Sequence, residues 1–276
     1  MTDSILNDDL AGKVALVTGG TSGIGRTICD RLAREGAVVC FTGRRAEQGR
    51  AIAEASGQHF FTCDNTSEDD IVSAAAKVRD EVGPVAILVN NAGNSGPGDA
   101  LENITAEAYD ETMDTHLRGS FLMVRSVIPQ MRENGGGSIV NIGSVAGSRV
   151  GGHSPVYAMA KAGLSHLTRW AAMELGPDNI RVNSVSPGFI PTDIHGLVSG
   201  RKSKSDPALV GEMMAGVFQG LQPLGVRGST ADVAEAVVYL AGNRAKFVTG
   251  IDLVVDGGLS LGRKALLRPS RGGKSG

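Results

Sequence analysis

The chain has 276 residues, 41% hydrophobic and 20% charged, which is enough to bury a full core and rules out a disordered or fibrous class. A formal net charge of −2 excludes the basic bias of a nucleic-acid partner or of binding to an anionic membrane, and no apolar run approaches the ~18 residues of a membrane span. The three cysteines, Cys29, Cys40 and Cys63, are widely spaced with neither disulfide nor metal-ligand spacing. They read as buried thiols, so no metal is expected; without a signal peptide the chain is placed in a reducing cytoplasm.

Residues 1–9 are a polar lead-in. Lys13–Thr18 is a β-branched run of the kind buried on both faces of a parallel sheet, followed by Thr18-Gly19-Gly20-Thr21-Ser22-Gly23-Ile24-Gly25 and a helical stretch from Arg26 to Arg34. Strand, glycine turn and helix is the context in which a turn binds phosphate: without Cβ atoms the backbone approaches a pyrophosphate whose charge sits on the helix N-terminus. A tight turn without ligand is the bland alternative. Strands are then predicted at Ala37–Thr42, His59–Cys63, Val85–Val89, Ser138–Ile142, Arg181–Val185 and Ile251–Val255. Helices are predicted at Ala46–Ala55, Glu68–Val82, one long stretch Thr105–Met131, Pro155–Leu175 and Thr230–Ala241. Such alternation predicts an α/β fold, a doubly wound parallel sheet of about seven strands with helices on both faces, in one domain across 1–276.

Ligands of such sheets lie outside the carboxyl ends of the strands. The glycine turn, Arg44 and Arg45, Asp64, Asn90 to Gly93, Ser144 and Pro187-Gly188 all follow predicted strands. Pro155 suits a first helical turn, and Tyr157 and Lys161 at i and i+4 share one helix face. An ammonium near the phenol is expected to lower its pKa toward working pH, making Tyr157 a general acid/base with the Ser144 hydroxyl on the same substrate oxygen. The alternative for that pair is an aromatic ring packed under a lysine stem.

T-G-G-T-S-G-I-G, Asp64, N-N-A-G, the serine, Y-x-x-x-K and P-G occur in the order of the short-chain dehydrogenase/reductase family, which the chain resembles over roughly Leu10 to Gly262. The resemblance implies a Rossmann-type sheet of order 3-2-1-4-5-6-7 and an NAD(P)-dependent oxidoreductase that interconverts a secondary alcohol and a ketone. It implies that Tyr157 is the proton donor/acceptor, that Ser144 orients the substrate and that Lys161 partners the nicotinamide ribose. The cofactor would extend along Gly19, Thr21, Ser22, Gly23, Ile24 and Gly25, past Asp64 and Asn65 near the adenine and Asn91, Ala92 and Gly93 in the middle. It would end at Pro187, Gly188, Ile190 and Thr192.

One position departs. Where the family usually carries an asparagine that helps hold a relay water, this chain has His116; histidine titrates near neutrality and is expected to sustain the proton path. The alternatives are a histidine with no catalytic part, or a weakened relay.

NAD-selective members place an acid after the second strand to accept the ribose 2′-OH. Here the stretch is Thr42-Gly43-Arg44-Arg45, and a guanidinium binds a 2′-phosphate, so NADP(H) is favoured over NAD(H), with Arg44 preferred to Arg45.

Residues 189–229 correspond to the family's substrate lid, with Met213, Met214 and Phe218 as an apolar wall, and His153 is placed at the substrate mouth. The expected partner is a small carbonyl or alcohol substrate. The expected assembly is a homotetramer or homodimer through Thr105–Met131 and Pro155–Leu175, with Leu167, Trp170 and Met173 in contact. The basic tail, 263–276, is expected to be disordered. A 3-oxoacyl carrier-protein reductase, with Arg118, Arg125, Arg132 and Arg169 as a patch for an acidic carrier, and a cofactor-binding scaffold with little turnover are the alternatives. A nucleotide-sugar epimerase is disfavoured by the glycine spacing.

Overall fold

β-Branched and apolar runs bounded by glycine turns form seven strands, and amphipathic segments form the helices between them. The computed structural model describes residues 10–151, 153–192, 216–217 and 219–262. The order is β1 (Val14–Val17), α1 (Gly23–Arg34), β2 (Val38–Gly43), α2 (Ala46–Ser56), β3 (His59–Thr62), α3 (Glu68–Glu81) and β4 (Val85–Asn90). Then come α4 (Ala106–Met113), a π-helical turn (Asp114–Arg118), α5 (Gly119–Glu133), β5 (Gly137–Ile142), α6 (Pro155–Leu175), β6 (Ile180–Pro187), α7 (Thr230–Ala241) and β7 (Asp252–Val255). All seven strands pair in parallel, in the order β3-β2-β1-β4-β5-β6-β7. The sheet is buried on both faces. One cluster packs Val17, Phe41, Val89 and Val140 against Ile28 and Leu32 of α1 and Val237 of α7. The other packs Leu16, Leu88 and Ile139 against Ile71 and Val78 of α3, Met123 and Val127 of α5 and Leu175 of α6. Burial of this kind contributes about 25 cal/mol per Å² of apolar surface and is what drives the layers together.

Most predicted boundaries lie within one or two residues of the structure. Within the predicted lid, residues 193–215 and 218, which include Met213, Met214 and Phe218, lie outside the described residues, as does the basic tail. The predicted long helix is different: it is interrupted by the π turn. Asn65, after β3, donates from Nδ2 to the Thr115 carbonyl at 2.8 Å, and Ser120 Oγ donates to the His116 carbonyl at 2.7 Å. Two side chains thus satisfy carbonyls of the widened turn. Gly119 admits the approach, since a Cβ there would overlap the Asn65 backbone. π turns inside α-helices recur at functional sites.

A buried polar chain fixes the strand ends against α6. Asn90 Nδ2 donates to Asn141 Oδ1, Asn141 Nδ2 donates to Thr168 Oγ1, both at 2.9 Å, and Thr168 Oγ1 donates to the Leu164 carbonyl. Asn141 is fully buried. Replacing Asn141 with leucine leaves both partners wanting a hydrogen bond, and urea denaturation is expected to show a loss on the order of 3 kcal/mol. A change below about 0.5 kcal/mol would mean the chain is not a structural tie.

Candidate active site

The glycine turn is shaped by one close crossing. Thr18 Oγ1 accepts the backbone N–H of Asn91 at 2.9 Å and of Ala92 at 3.0 Å, while Asn91 Nδ2 donates back to the carbonyls of Thr18 and Gly19. Gly19 sits at φ 68°, and a Cβ there would lie 2.9 Å from Ala92 Cα; a Cβ on Gly25 would overlap the Gly19 carbonyl and the Asn91 amide. These two positions therefore demand glycine.

The N-terminus of α1 is left bare. Its N-cap Ser22 makes no side-chain cap bond and no acid occupies the first turn. By contrast, Ser67 caps α3, which begins with three acids, and a capping box closes α7. A helix end with free N–H groups beside a Cβ-free turn fits the pyrophosphate of a dinucleotide. Thr192 faces the turn from the far side, 3.6 Å from a would-be Cβ on Gly23.

Around this turn the predicted cofactor residues separate into groups. Thr21 and Ser22 are reached by Arg45, whose guanidinium donates to both hydroxyls at 3.1 Å. Arg44, the preferred residue on sequence, is exposed, and no interaction within the described residues is found for it. Asp64 Oδ1 accepts from the Thr66 amide and hydroxyl, forming the turn before α3. Asn65 spends its amide on the π turn. Ile24 packs on the core and Ile190 is buried in it. Pro187 ends β6, and Gly188 packs against Asp256.

Ser144, Tyr157 and Lys161 come together at the ends of β5 and α6. Ser144, after β5, caps a short 3-10 turn by accepting the Ala146 amide at 3.1 Å. Lys161 is buried and its Nζ donates to the Ile142 carbonyl at 2.7 Å, 5.6 Å from the Tyr157 ring centre. The expected lowering of the Tyr157 pKa is corrected here. Burial pushes it above its ordinary value, and the Ser144 hydroxyl beside it pulls only partly the other way. Burial likewise drops the Lys161 pKa to about 7, so near neutrality the amine is at most a partial cation. Desolvation outweighs the attraction that the i,i+4 spacing suggested.

His116 is also corrected. Its ring is 2% exposed, and burial, with Lys161 nearby, holds its pKa well below the ordinary histidine range. This favours the neutral ring over the imidazolium and runs against the expectation that His116 titrates near neutrality. Nε2 contacts the main chain of Asn94, and the ring meets Tyr157 edge-on with centroids 5.1 Å apart. His153 stacks on the other side of Tyr157 at 5.7 Å, consistent with a place at the mouth of the site.

The sequence reading missed Asn94, Thr18 and the Ile142 carbonyl. Thr18 opens the recognised glycine motif and Asn94 directly follows N-N-A-G, but a main-chain carbonyl has no sequence signature. The proposed carrier patch is only partly neutralised: Arg118 and Arg125 share the one carboxylate of Glu68, and Arg132 pairs with Asp178. Arg169 donates to Ser165. Trp170 and Met173 are exposed on the helix expected to self-associate, while Leu167 is partly buried. Among the described residues no cluster could hold a metal ion, and no helix is long and apolar enough to cross a membrane. The three cysteines are buried, each with its pKa pushed up to about 12 by burial, and are inert as nucleophiles.

The buried lysine has a measurable consequence. The unfolded chain binds the Lys161 proton up to the ordinary value of 10.5 and the folded chain only up to about 7, so between these the unfolded state holds more protons. Stability from this group therefore rises with pH across that window. Lys161→Met removes the penalty: in cofactor-free protein it is expected to be more stable than wild type at pH 7, with the advantage shrinking toward pH 10. Denaturation midpoints that move in parallel for both proteins would contradict it.

Comparison with known proteins agrees with this geometry. A family model described as Enoyl-(Acyl carrier protein) reductase matches residues 19–260. The chain is 37% identical to (+)-borneol dehydrogenase 2 of Salvia officinalis, over 93% of this chain and 92% of that protein. It is 35% identical to the 3-oxoacyl-[acyl-carrier-protein] reductase FabG of Aquifex aeolicus, over 91% and 98%. The solved aldohexose dehydrogenase of Thermoplasma acidophilum superposes with a TM-score of 0.84 at 31% identity, covering 94% of this chain and 98% of that one. Matches that run through nearly the whole length, in sequence and fold alike, leave one assignment: the chain belongs to the short-chain dehydrogenase/reductase family and is an NAD(P)-dependent oxidoreductase.

Proposed function

We propose that the enzyme interconverts a secondary alcohol and a ketone, with Tyr157 as general acid/base and NADP(H) as the favoured dinucleotide. The observation that carries this reading is the grouping of Ser144, Tyr157 and buried Lys161 on the sheet edge that also holds the bare N-terminus of α1. A bound nicotinamide supplies or accepts the hydride. In reduction, Tyr157 gives its phenolic proton to the carbonyl oxygen as negative charge develops there, and the Ser144 hydroxyl donates a hydrogen bond to the same oxygen. In oxidation the proton returns to the phenolate.

Burial keeps the phenol protonated near neutrality, which is the form that reduction needs. Oxidation needs the phenolate and is expected to gain with rising pH. Lys161 is placed to take up and give back the proton, since its pKa is held near the working range.

For the cofactor, the support is chemical. No carboxylate follows β2 until Glu47, and Arg45 already sits on the hydroxyls of the turn with Arg44 exposed beside it. A guanidinium there favours a 2′-phosphate. The named substrates of the relatives differ, which points to shared hydride chemistry rather than to one substrate. His153 above Tyr157 is read as a substrate contact.

NADPH and NADH oxidation should be followed over a panel of ketones, aldehydes and 3-oxoacyl thioesters, with Tyr157→Phe as control. NADPH is expected to be preferred, and Tyr157→Phe is expected to lose roughly 10²–10⁴-fold in kcat while still binding the dinucleotide. Tighter binding of NADH would overturn the cofactor reading, and full activity in Tyr157→Phe would overturn the general acid.

A further inference from the structure

We propose that His116 is a positioning residue, whose Nε2 clamps the main chain of Asn94 and thereby fixes the loop after β4 against the catalytic tyrosine. This deepens, and rests on, the reading of Tyr157 as general acid/base. Nε2 lies 3.1 Å from the Asn94 amide nitrogen and 2.9 Å from its carbonyl oxygen. Whichever neutral tautomer is present, one hydrogen bond therefore closes on the same residue: Nε2–H donates to the carbonyl, or Nε2 accepts the amide proton.

The surroundings are shaped for this ring. A Cβ on Gly93 would overlap His116 Cε1, so the neighbour of the clamped residue must be glycine. Asn94 then turns the chain, with Oδ1 accepting the Gly96 amide at 3.0 Å. Gly96, at φ 68°, lies directly on the first turn of α6: a Cβ there would be 3.0 Å from Ser154 Cβ and 3.1 Å from Tyr157 Cβ. His116 itself packs edge-on against the Tyr157 ring. The clamp thus acts on Tyr157 both directly and through three residues of loop.

The π turn is what delivers the ring. Asn65 and Ser120 hold the carbonyls of Thr115 and His116, so the turn carrying the imidazole is anchored from β3 and α5. The titratable groups facing the ring are Lys161 and Tyr157, both on α6. Among the described residues no carboxylate faces the ring to stabilise an imidazolium, and burial favours the neutral form that the clamp uses.

The test is hydrogen–deuterium exchange of the cofactor-free protein, resolved at Asn94–Gly96, for wild type, His116→Leu and His116→Gln, alongside kcat and KM across pH. His116→Leu fills most of the space but makes no hydrogen bond. It is expected to speed exchange at Asn94–Gly96 roughly tenfold and to lower kcat, with dinucleotide Kd unchanged. His116→Gln, whose amide can donate or accept, is expected to recover most of both, and the apparent pKa values of kcat should coincide in all three. If His116→Leu does not fold, His116→Met is read in the same way. Unchanged exchange in the apolar variant would overturn the clamp. So would an inflection of wild-type kcat in the histidine range that His116→Gln abolishes, since that marks a proton carrier. If no substrate turns over, the Tyr157 reading fails, while the exchange experiment still decides the clamp.

Discussion

The crossing of β1 and β4 at their carboxyl ends is the constraint on which the rest of the site depends. Across this point Asn91 donates to Thr18 from both its main chain and its side chain, and its side-chain amide takes the carbonyls that the turn would otherwise leave bare. The geometry leaves no room for side chains at Gly19 or Gly25, and it aims the N-terminus of α1 at the space above the strands. From the same β4 end the chain runs on through Gly93 to Asn94 and Gly96, and so to His116 and Tyr157. The glycine turn and the Tyr157 cluster are thus built from two ends of one crossing.

The second theme is desolvation. A half-buried phenol and a buried amine and imidazole are gathered in one cluster, and desolvation drives each toward its neutral form. A neutral cluster costs stability through Lys161, whose proton the unfolded chain would keep, and of the three groups only Lys161 is brought close to neutrality, at about 7. The carboxamides and hydroxyls at Asn90, Asn141, Thr168 and Ser120 take up the hydrogen bonds that hold this cluster between β4, β5, α5 and α6.

The sequence made the sheet legible because each strand is a short β-branched run and each ends in glycine, asparagine or serine chemistry. Tyr157 and Lys161 share a helix face by their local spacing, but with Ser144 they were readable as a group only alongside the other motifs of the family resemblance. Long-range packing was not readable. The apolar pattern of Thr105–Met131 continues without a break, and the π turn within it arises from Asn65, some fifty residues earlier. The i,i+4 spacing of Tyr157 and Lys161 gave their neighbourhood but not their burial, so it gave the wrong direction for the phenol. Arg118, Arg125 and Arg132 looked like a basic patch because Glu68 and Asp178, their partners, are distant in sequence. Arg44 and Arg45 are adjacent, and only the path of the chain after β2 shows that Arg45 turns to the glycine loop.

The crossing at Thr18 and Asn91 leaves no room for a side chain at Gly25, beside the turn where the dinucleotide is proposed to bind. Calorimetric titration of NADPH into wild type and Gly25→Ala, with circular dichroism to establish that the variant is folded, tests it most directly. A folded Gly25→Ala protein whose affinity falls by about a hundredfold or more, ~2.7 kcal/mol, is the predicted result. Binding within a few-fold of wild type would contradict the account, because the added methyl cannot occupy the crossing without moving the turn.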